Sequence, residues 1–311
     1  MALSQGASDS GGPSFDPWEA LDGLPAMVAV ATASGALVFV NKRVESFTGR
    51  SRQELVESGW VRVVHPSDLS RAIGNLGQIL DSREPAHAEL RLRRADGAFV
   101  WHNVCVEAFP SEAQEPQLVK AVAVDCQRLH EELDSLRAAR QQAAELSGLR
   151  FLALQDVSTP LLLEMAVQAL ATGLSATLVV ALRSDGDGGS AVLESAFGAP
   201  PEFQRSARVE LARDGHFAFC LAQPPREVVA VYDLERDFRF APDRILAQHK
   251  AKSGLTIVVQ TAEGPWGLLG VFSQARRPFS ESDAKFLIAV ADTLSCALDR
   301  ERRLSHLAGT A

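Results

Sequence analysis

The sequence predicts an α+β protein of two domains, each a sheet with flanking helices, joined by a long helix. Three observations carry that prediction. Apolar runs of strand length gather in two groups, at 27–124 and 176–272, and turn signals such as Ser34-Gly35, Asp96-Gly97 and Asp185-Gly186-Asp187-Gly188-Gly189 join neighbours, which favours antiparallel pairing. Between the groups, residues 127–155 are charged, rich in Ala and free of Pro, a composition that favours helix. At 311 residues the chain has room for two ordinary cores.

The first group opens with Met27-Val28-Ala29-Val30-Ala31, turns at Ser34-Gly35 and returns through Leu37-Val38-Phe39-Val40 as a hairpin. Asn41 stands where its side chain accepts from a free amide of a short helix carrying Val44 and Phe47, and Gly49 supplies a left-handed end. Ser51 and Glu54 have capping-box spacing, so a second short helix follows and carries Leu55. His65-Pro66-Ser67-Asp68 opens a longer helix with Leu69, Ile73, Leu76 and Leu80 along one face. Past Pro85, Ala88, Leu90 and Leu92 alternate with Glu89, Arg91 and Arg93 as a half-buried strand. Asp96-Gly97 turns the chain into Phe99–Val106, and Leu118–Val124 closes the domain.

In the connecting helix Leu129, Leu133, Leu136 and Ala143 step by four, three and seven, while Arg140 and Ser147 interrupt the stripe. This weakened heptad predicts pairing with a second copy, the alternative being an amphipathic helix packed back on its own domains. His130-Glu131-Glu132 has the look of a kinase phosphoacceptor, but no Gly-rich ATP loop follows it, so autophosphorylation is not expected.

The second group follows a helical stretch at 161–171 and begins with strands at 176–182 and 191–197 around the Asp/Gly turn. A helix at 217–221, a strand at 228–231, a polar run at 233–239 and a helix through Ile245 and Leu246 come next. Strands at 255–259 and 266–272 precede a helix that Ser280 and Asp283 begin, with Phe286, Leu287, Val290, Leu294 and Leu298 as its apolar face.

Composition narrows the function classes. Hydrophobic residues at 46% and charged residues at 23% are ordinary for a globular protein, and no apolar run approaches the roughly 18 residues of a membrane span. Residues 1–16, Ser- and Gly-rich at the start, make a poor secretory signal and an expected disordered tail, which places the protein in the cytoplasm. A net charge of −8 and a pI near 5.4 give nucleic acid no foothold. Cys105, Cys126, Cys220 and Cys296 contain no Cys-x-x-Cys pair, so neither a zinc site nor a disulfide framework is expected, and all four are expected to be buried thiols.

Residues 17–127 resemble a PAS domain, through Val40-Asn41-Lys42, Phe47-Thr48-Gly49, Glu54-Leu55, Val64-His65-Pro66-Ser67-Asp68, Arg94-Ala95-Asp96-Gly97 to Trp101, and the terminal Asp125. The resemblance implies a sensory and dimerisation module whose core holds haem, flavin, a small metabolite or nothing. A flavin-adduct photosensor of this family needs an Asn-Cys-Arg run, and Gly59-Trp60-Val61-Arg62 contains no Cys. Haem needs an axial ligand, and the helix at 68–81 has no His. His65 reads as a cap, and His87 and His102 as edge or satisfied core residues. A bound ligand is expected between Leu55, Trp60, Ile73 and Leu76 on the helices and Leu90 and Val104 on the strands. Trp60 and Trp101 offer faces for a planar ligand or for core packing.

Downstream of the connector at 128–155, residues 156–311 resemble a GAF domain with a C-terminal signalling helix. The resembling residues are Asp233-Leu234 with Asp237 and Arg239-Phe240, Ser253-Gly254-Leu255, Gly264-Pro265-Trp266-Gly267 to Gly270-Val271-Phe272, and Phe279-Ser280-Glu281-Ser282-Asp283. The candidate pocket residues are Phe219, Cys220 and Ser253. Cyclic-nucleotide-binding members pair Asn-Lys with Phe-x-x-x-Asp-Glu; here Ala284 replaces the Glu, and 273–278 contains neither Asn nor Lys. Bilin attachment uses a Cys beside a His; Cys220 is followed by Leu221, with His216 one turn earlier, so bilin is as unsupported as haem or a flavin adduct.

The expected function is a non-enzymatic cytoplasmic input module, PAS-like then GAF-like, that binds a small ligand, dimerises, or both. It is expected to signal through its helices to a histidine kinase or another output protein, as in a bacterial two-component system. No catalytic residue and no metal-ligand set is read from the sequence. The alternatives are a dimerisation scaffold with empty pockets and a GAF-type thiol-dependent methionine sulfoxide reductase using Cys220 and Cys296.

Overall fold

Local signals set the elements of the computed structural model, which describes residues 17–82, 84–109, 118–155, 157–186, 189–203 and 205–309. The expected tail at 1–16 and Asp187-Gly188 of the predicted turn lie outside the described residues. The chain falls into two units, the first reaching Asp134 and the second beginning at Ser135.

In the first unit α1 (Pro17–Asp22) precedes the hairpin β1 (Met27–Thr32) and β2 (Leu37–Val40), followed by α2 (Lys42–Thr48) and α3 (Arg52–Ser58). Two 3₁₀ turns, Trp60–Arg62 and Pro66–Asp68, lead to α4 (Leu69–Ser82), and β3 (Ala86–Arg93), β4 (Phe99–Ala108) and β5 (Leu118–Asp125) complete an antiparallel sheet of order β2-β1-β5-β4-β3. Asn41 is fully buried: its Oδ1 accepts from Val44 and Val28 amides and its Nδ2 donates to the Leu21 and Ala26 carbonyls, so one side chain caps α2 and ties it to β1. Gly49 ends α2 at φ 67°, and a Cβ there would meet the Ala95 Cβ at 2.8 Å. Ser51 and Glu54 form the reciprocal capping box of α3, and His65 Nδ1 accepts from the Ser67 amide at the mouth of the second 3₁₀ turn.

The inward face of α4 differs from the expected stripe. Ala72 and Ile79 are buried while Ile73 is 55% exposed, so the helix points Leu69, Ala72, Leu76 and Ile79 at the sheet. The hydrophobic spacing at Ile73 fits a helical face equally well, and packing over β3 and β4 chose the neighbouring phase.

Helix α5 (Gln127–Leu154) starts in the first unit and ends in the second, where α6 (Thr159–Gly173) follows. Strands β6 (Leu178–Ser184), β7 (Ser190–Phe197), β8 (Arg208–Glu210), β9 (Val228–Val231), β10 (Ser253–Thr261) and β11 (Gly264–Ser273) form a six-stranded antiparallel sheet of order β8-β7-β6-β11-β10-β9. The short helices α7 (His216–Leu221) and α8 (Arg244–His249) flank β9, and α9 (Glu281–Gly309) follows β11.

This second sheet is buried on both faces, which is why β6, β10 and β11 read as nearly continuous apolar runs rather than alternating ones. On one face Val179, Ala181, Ile257 and Val271 pack with Leu170 of α6 and Leu287 and Val290 of α9. On the other, Val180, Leu182 and Phe272 pack with Phe217 and Cys220 of α7 and with Ile245 and Leu246 of α8. Among the described residues no helix is long and apolar enough to cross a membrane.

Candidate functional site

The first unit holds a cavity of about 160 Å³ between its sheet and the helices α2, α3 and α4. Its origin lies in side-chain size. Inward positions on the sheet alternate with outward ones, and at Ala29, Ala31, Ala88, Ala121 and Ala123 the inward side chain is a single methyl, as is Ala72 from α4. Larger neighbours such as Leu55, Trp60, Leu76, Leu90 and Val104 form the walls. A cavity of comparable size lined by aliphatic side chains stays dry and holds a benzene-sized guest.

Polar groups in the lining are few. Thr48 donates its hydroxyl to the Val44 carbonyl at 2.8 Å, and Trp60 Nε1 donates to the Gly35 carbonyl at 3.1 Å, which also fixes the indole against the β1–β2 turn. Asn75 of α4 is the remaining residue there with a polar side chain. Among the described residues no His lines the cavity.

The structure thus brings five of the six expected first-domain residues around one space and leaves Ile73 outside it, on the exposed side of α4. Trp101 lies elsewhere: its ring stacks on His130 at 4.4 Å and 15°, with the Arg91 guanidinium 5.0 Å from its centroid. His102 is buried edge-on to Phe47, its Nδ1 2.9 Å from the Val100 carbonyl, and burial holds its pKa below the ordinary imidazole value. His87 stands on β3 with Nε2 3.8 Å from Cys105 Sγ. The alanines, Thr48 and Asn75 were missed by sequence reasoning. Alternate alanines in Met27–Thr32 and Leu118–Asp125 were the available signal, since small inward residues on adjacent strands leave space.

The three expected second-domain residues serve the core. Cys220 is 1% exposed inside the apolar cluster, Phe219 packs against the same cluster, and fully buried Ser253 donates its hydroxyl to the Ala275 carbonyl at 2.7 Å. They read as a pocket only while the tertiary packing is unknown. His216 and Cys220 do share a helix face, with Nε2 3.5 Å from Sγ and 2.8 Å from Thr256 Oγ1. Burial pushes the Cys220 thiol up to about 12 and the His216 imidazole down to about 3, so this pair is neutral at physiological pH. All four cysteines are free, but only Cys220 is buried; Cys296 is exposed, because its face of α9 turns away from the sheet.

Two antiparallel sheets with flanking helices, the first beside an apolar cavity, define the class of fold. Residues 37–123 match the family model described as PAS fold and residues 158–299 that described as GAF domain, so the chain carries a PAS domain followed by a GAF domain. It is 32% identical over 80 residues to the uncharacterized protein y4lL of Sinorhizobium fredii (strain NBRC 101917 / NGR234), a stretch that covers 26% of this chain and 10% of that relative. Among solved structures it is similar to the GAF domain of a phosphoenolpyruvate-protein phosphotransferase from Coxiella burnetii, with 16% identity, TM-score 0.48, and 54% of this chain and 98% of that one covered. A free methionine-R-sulfoxide reductase from Neisseria meningitidis, solved with its substrate, gives 19% identity, TM-score 0.45 and coverage of 53% and 93%. The PAS domain of a protein from Colwellia psychrerythraea gives 16% identity, TM-score 0.33 and coverage of 35% and 93%.

Proposed function

We propose that this chain is a non-catalytic, cytoplasmic input module whose PAS cavity takes up a small, mostly apolar molecule with one hydrogen-bonding group. The observation that carries the proposal is the space of about 160 Å³, walled mostly by aliphatic side chains with Asn75 in its lining. That volume suits a single ring better than a macrocycle. The signal passes along α5, and Leu129, Leu133 and Leu136, all exposed on the single chain, support pairing of that helix with a second copy. A histidine kinase or another output protein, in a bacterial two-component setting, is the proposed receiver.

The thiol reductase alternative meets a geometric objection. Cys220 packs against one face of the six-stranded sheet, whereas α9, which carries Cys296, packs against the opposite face. An attacking thiol and its resolving partner must approach each other directly, and a thiol held near pKa 12 provides almost no thiolate.

Methyl NMR of the full chain titrated with benzene and with indole tests the proposal. Saturable shifts at Leu55, Leu76, Leu90 and Val104 are expected, and Ala121→Phe should abolish them by filling the space. Shifts that stay linear to the solubility limit, or that persist in Ala121→Phe, count against the cavity as a receptor.

A further inference from the structure

Three potential metal ligands from separate parts of the first unit converge at the root of α5. Glu89 comes from β3, Cys126 is the residue just before α5, and His130 lies in its first turn. Their donor atoms lie within 4.8 Å of one another.

Backbone bonds and ring stacking position two of the three residues. The Cys126 amide donates to the Trp101 carbonyl at 2.9 Å, and the Cys126 carbonyl accepts from the His130 amide at 3.1 Å, so the two residues sit one helical turn apart on one face. The His130 ring is held flat against Trp101, whose orientation Arg91 and its partner Asp68 support in turn. That stack places His130 Nε2 3.2 Å from Glu89 Oε2. Nε2 is sealed from solvent, yet the contact lacks the alignment of a hydrogen bond. A buried imidazole nitrogen, the carboxylate of exposed Glu89 and a sulfur thus lie within reach of one another.

We propose that Glu89, Cys126 and His130 form a binding site for a borderline-soft divalent cation of the Zn²⁺ class, with water as the fourth ligand. Mixed sulfur, nitrogen and oxygen donors suit Zn²⁺ or Co²⁺ rather than Mg²⁺ or Ca²⁺, which take oxygen. Tetrahedral zinc with ordinary bond lengths sets its donors about 3.3–3.6 Å apart; the His130–Glu89 pair at 3.2 Å already meets that spacing, and the Cys126 sulfur, within 4.8 Å of both, has about an ångström at most to close. Binding expels one proton: the Cys126 thiol becomes a metal thiolate and its proton goes to solvent. The cation would also clamp β3 to the first turn of α5, giving that helix an input independent of the cavity.

The test is a Co²⁺ titration of the full chain stripped of metal. One equivalent should produce a thiolate-to-cobalt charge-transfer band with intense tetrahedral visible bands, and Zn²⁺ should bleach both. Cys126→Ser should abolish the charge-transfer band, Cys296→Ser should retain it, and Glu89→Gln and His130→Gln should each weaken apparent affinity at least about tenfold. Zn²⁺ should also slow alkylation of Cys126 in the unaltered chain while Cys296, exposed, reacts at its usual rate; this readout does not depend on any variant folding. No charge-transfer band in the unaltered chain, the same band in Cys126→Ser, or alkylation of Cys126 indifferent to Zn²⁺ overturns the site.

Discussion

Asp68 shows how much one buried charge does for the first unit. Its carboxylate is 1% exposed and accepts from the Arg91 backbone amide at 3.0 Å, from Arg91 Nε and Nη2 at 2.9 Å each, and from Arg71 Nη2 at 3.0 Å. The hydrogen bonds from Arg91 pull its pKa down to about 2. Unfolded, the group protonates near pH 4, so its contribution is fully present above that pH and is lost as pH falls toward 2. The size of the shift corresponds to about 2 kcal/mol. Asp68→Asn should therefore lower stability in urea by about 2–3 kcal/mol at pH 7 and by much less at pH 2, because about half of the native carboxyl is then protonated and most of its contribution is already lost. An equal loss at both pH values would show that shape, rather than charge, matters at this position.

In the second unit Asp243 works in the opposite sense. Its Oδ2 accepts from the Phe217 amide at 2.8 Å, its Oδ1 is buried without a partner, and burial lifts its pKa to about 6. Between about pH 4 and 6 the folded chain holds a proton that the unfolded chain has released, so this group's contribution falls as pH rises. His216, pushed by burial to about 3, contributes stability that rises with pH from 3 toward about 6.5. The two trends oppose each other. Asp243→Asn removes the first, and stability of the second unit should then climb between pH 4 and 6, by up to about 1.4 kcal/mol per pH unit. An unchanged pH profile would contradict the assignment.

At the scale of elements, α5 carries an unusually exposed apolar row. Leu129, Leu133 and Leu136 are 52%, 39% and 67% exposed, a row of leucines that a second helix would cover. Leu133→Glu with Leu136→Glu should convert a dimer to a monomer in light scattering while the helix content by circular dichroism stays within a few per cent; an unaltered mass would place the dimer contact elsewhere. Caps and turns were legible in the sequence because they depend on neighbours in the chain: Asn41, Ser51 with Glu54, His65, and Ser280 with Asp283 all bond within a few residues. The phase of α4 was not, since Leu69, Ile73, Leu76 and Leu80 and the observed Leu69, Ala72, Leu76 and Ile79 are both helical stripes. Cys126 and His130 carried a visible clue in their four-residue spacing, but Glu89 joins them only through the pairing of β3 with β4.

For the whole molecule, each unit has cores of its own: every residue of the two larger clusters lies beyond Ser135, and the two smaller ones lie before it. Urea unfolding should therefore show two transitions, with Asp68→Asn moving one and Asp243→Asn the other. Trp60 and Trp101 report on the first unit and Trp266 on the second, so fluorescence of single-Trp variants assigns them. A single transition shifted by both substitutions would mean that the units unfold together.

What the sequence by itself determined is the tandem of two α+β domains and the order of their strands and helices apart from α1 and the edge strand β8, because periodicity, capping and turn chemistry act between residues close in the chain. The tertiary structure alone decided the cavity, the sides of the sheet on which Cys220 and Cys296 lie, and the meeting of Glu89 with Cys126 and His130. Those depend on strands that pair across long separations, such as β1 with β5, and on which of several acceptable faces each helix turns inward.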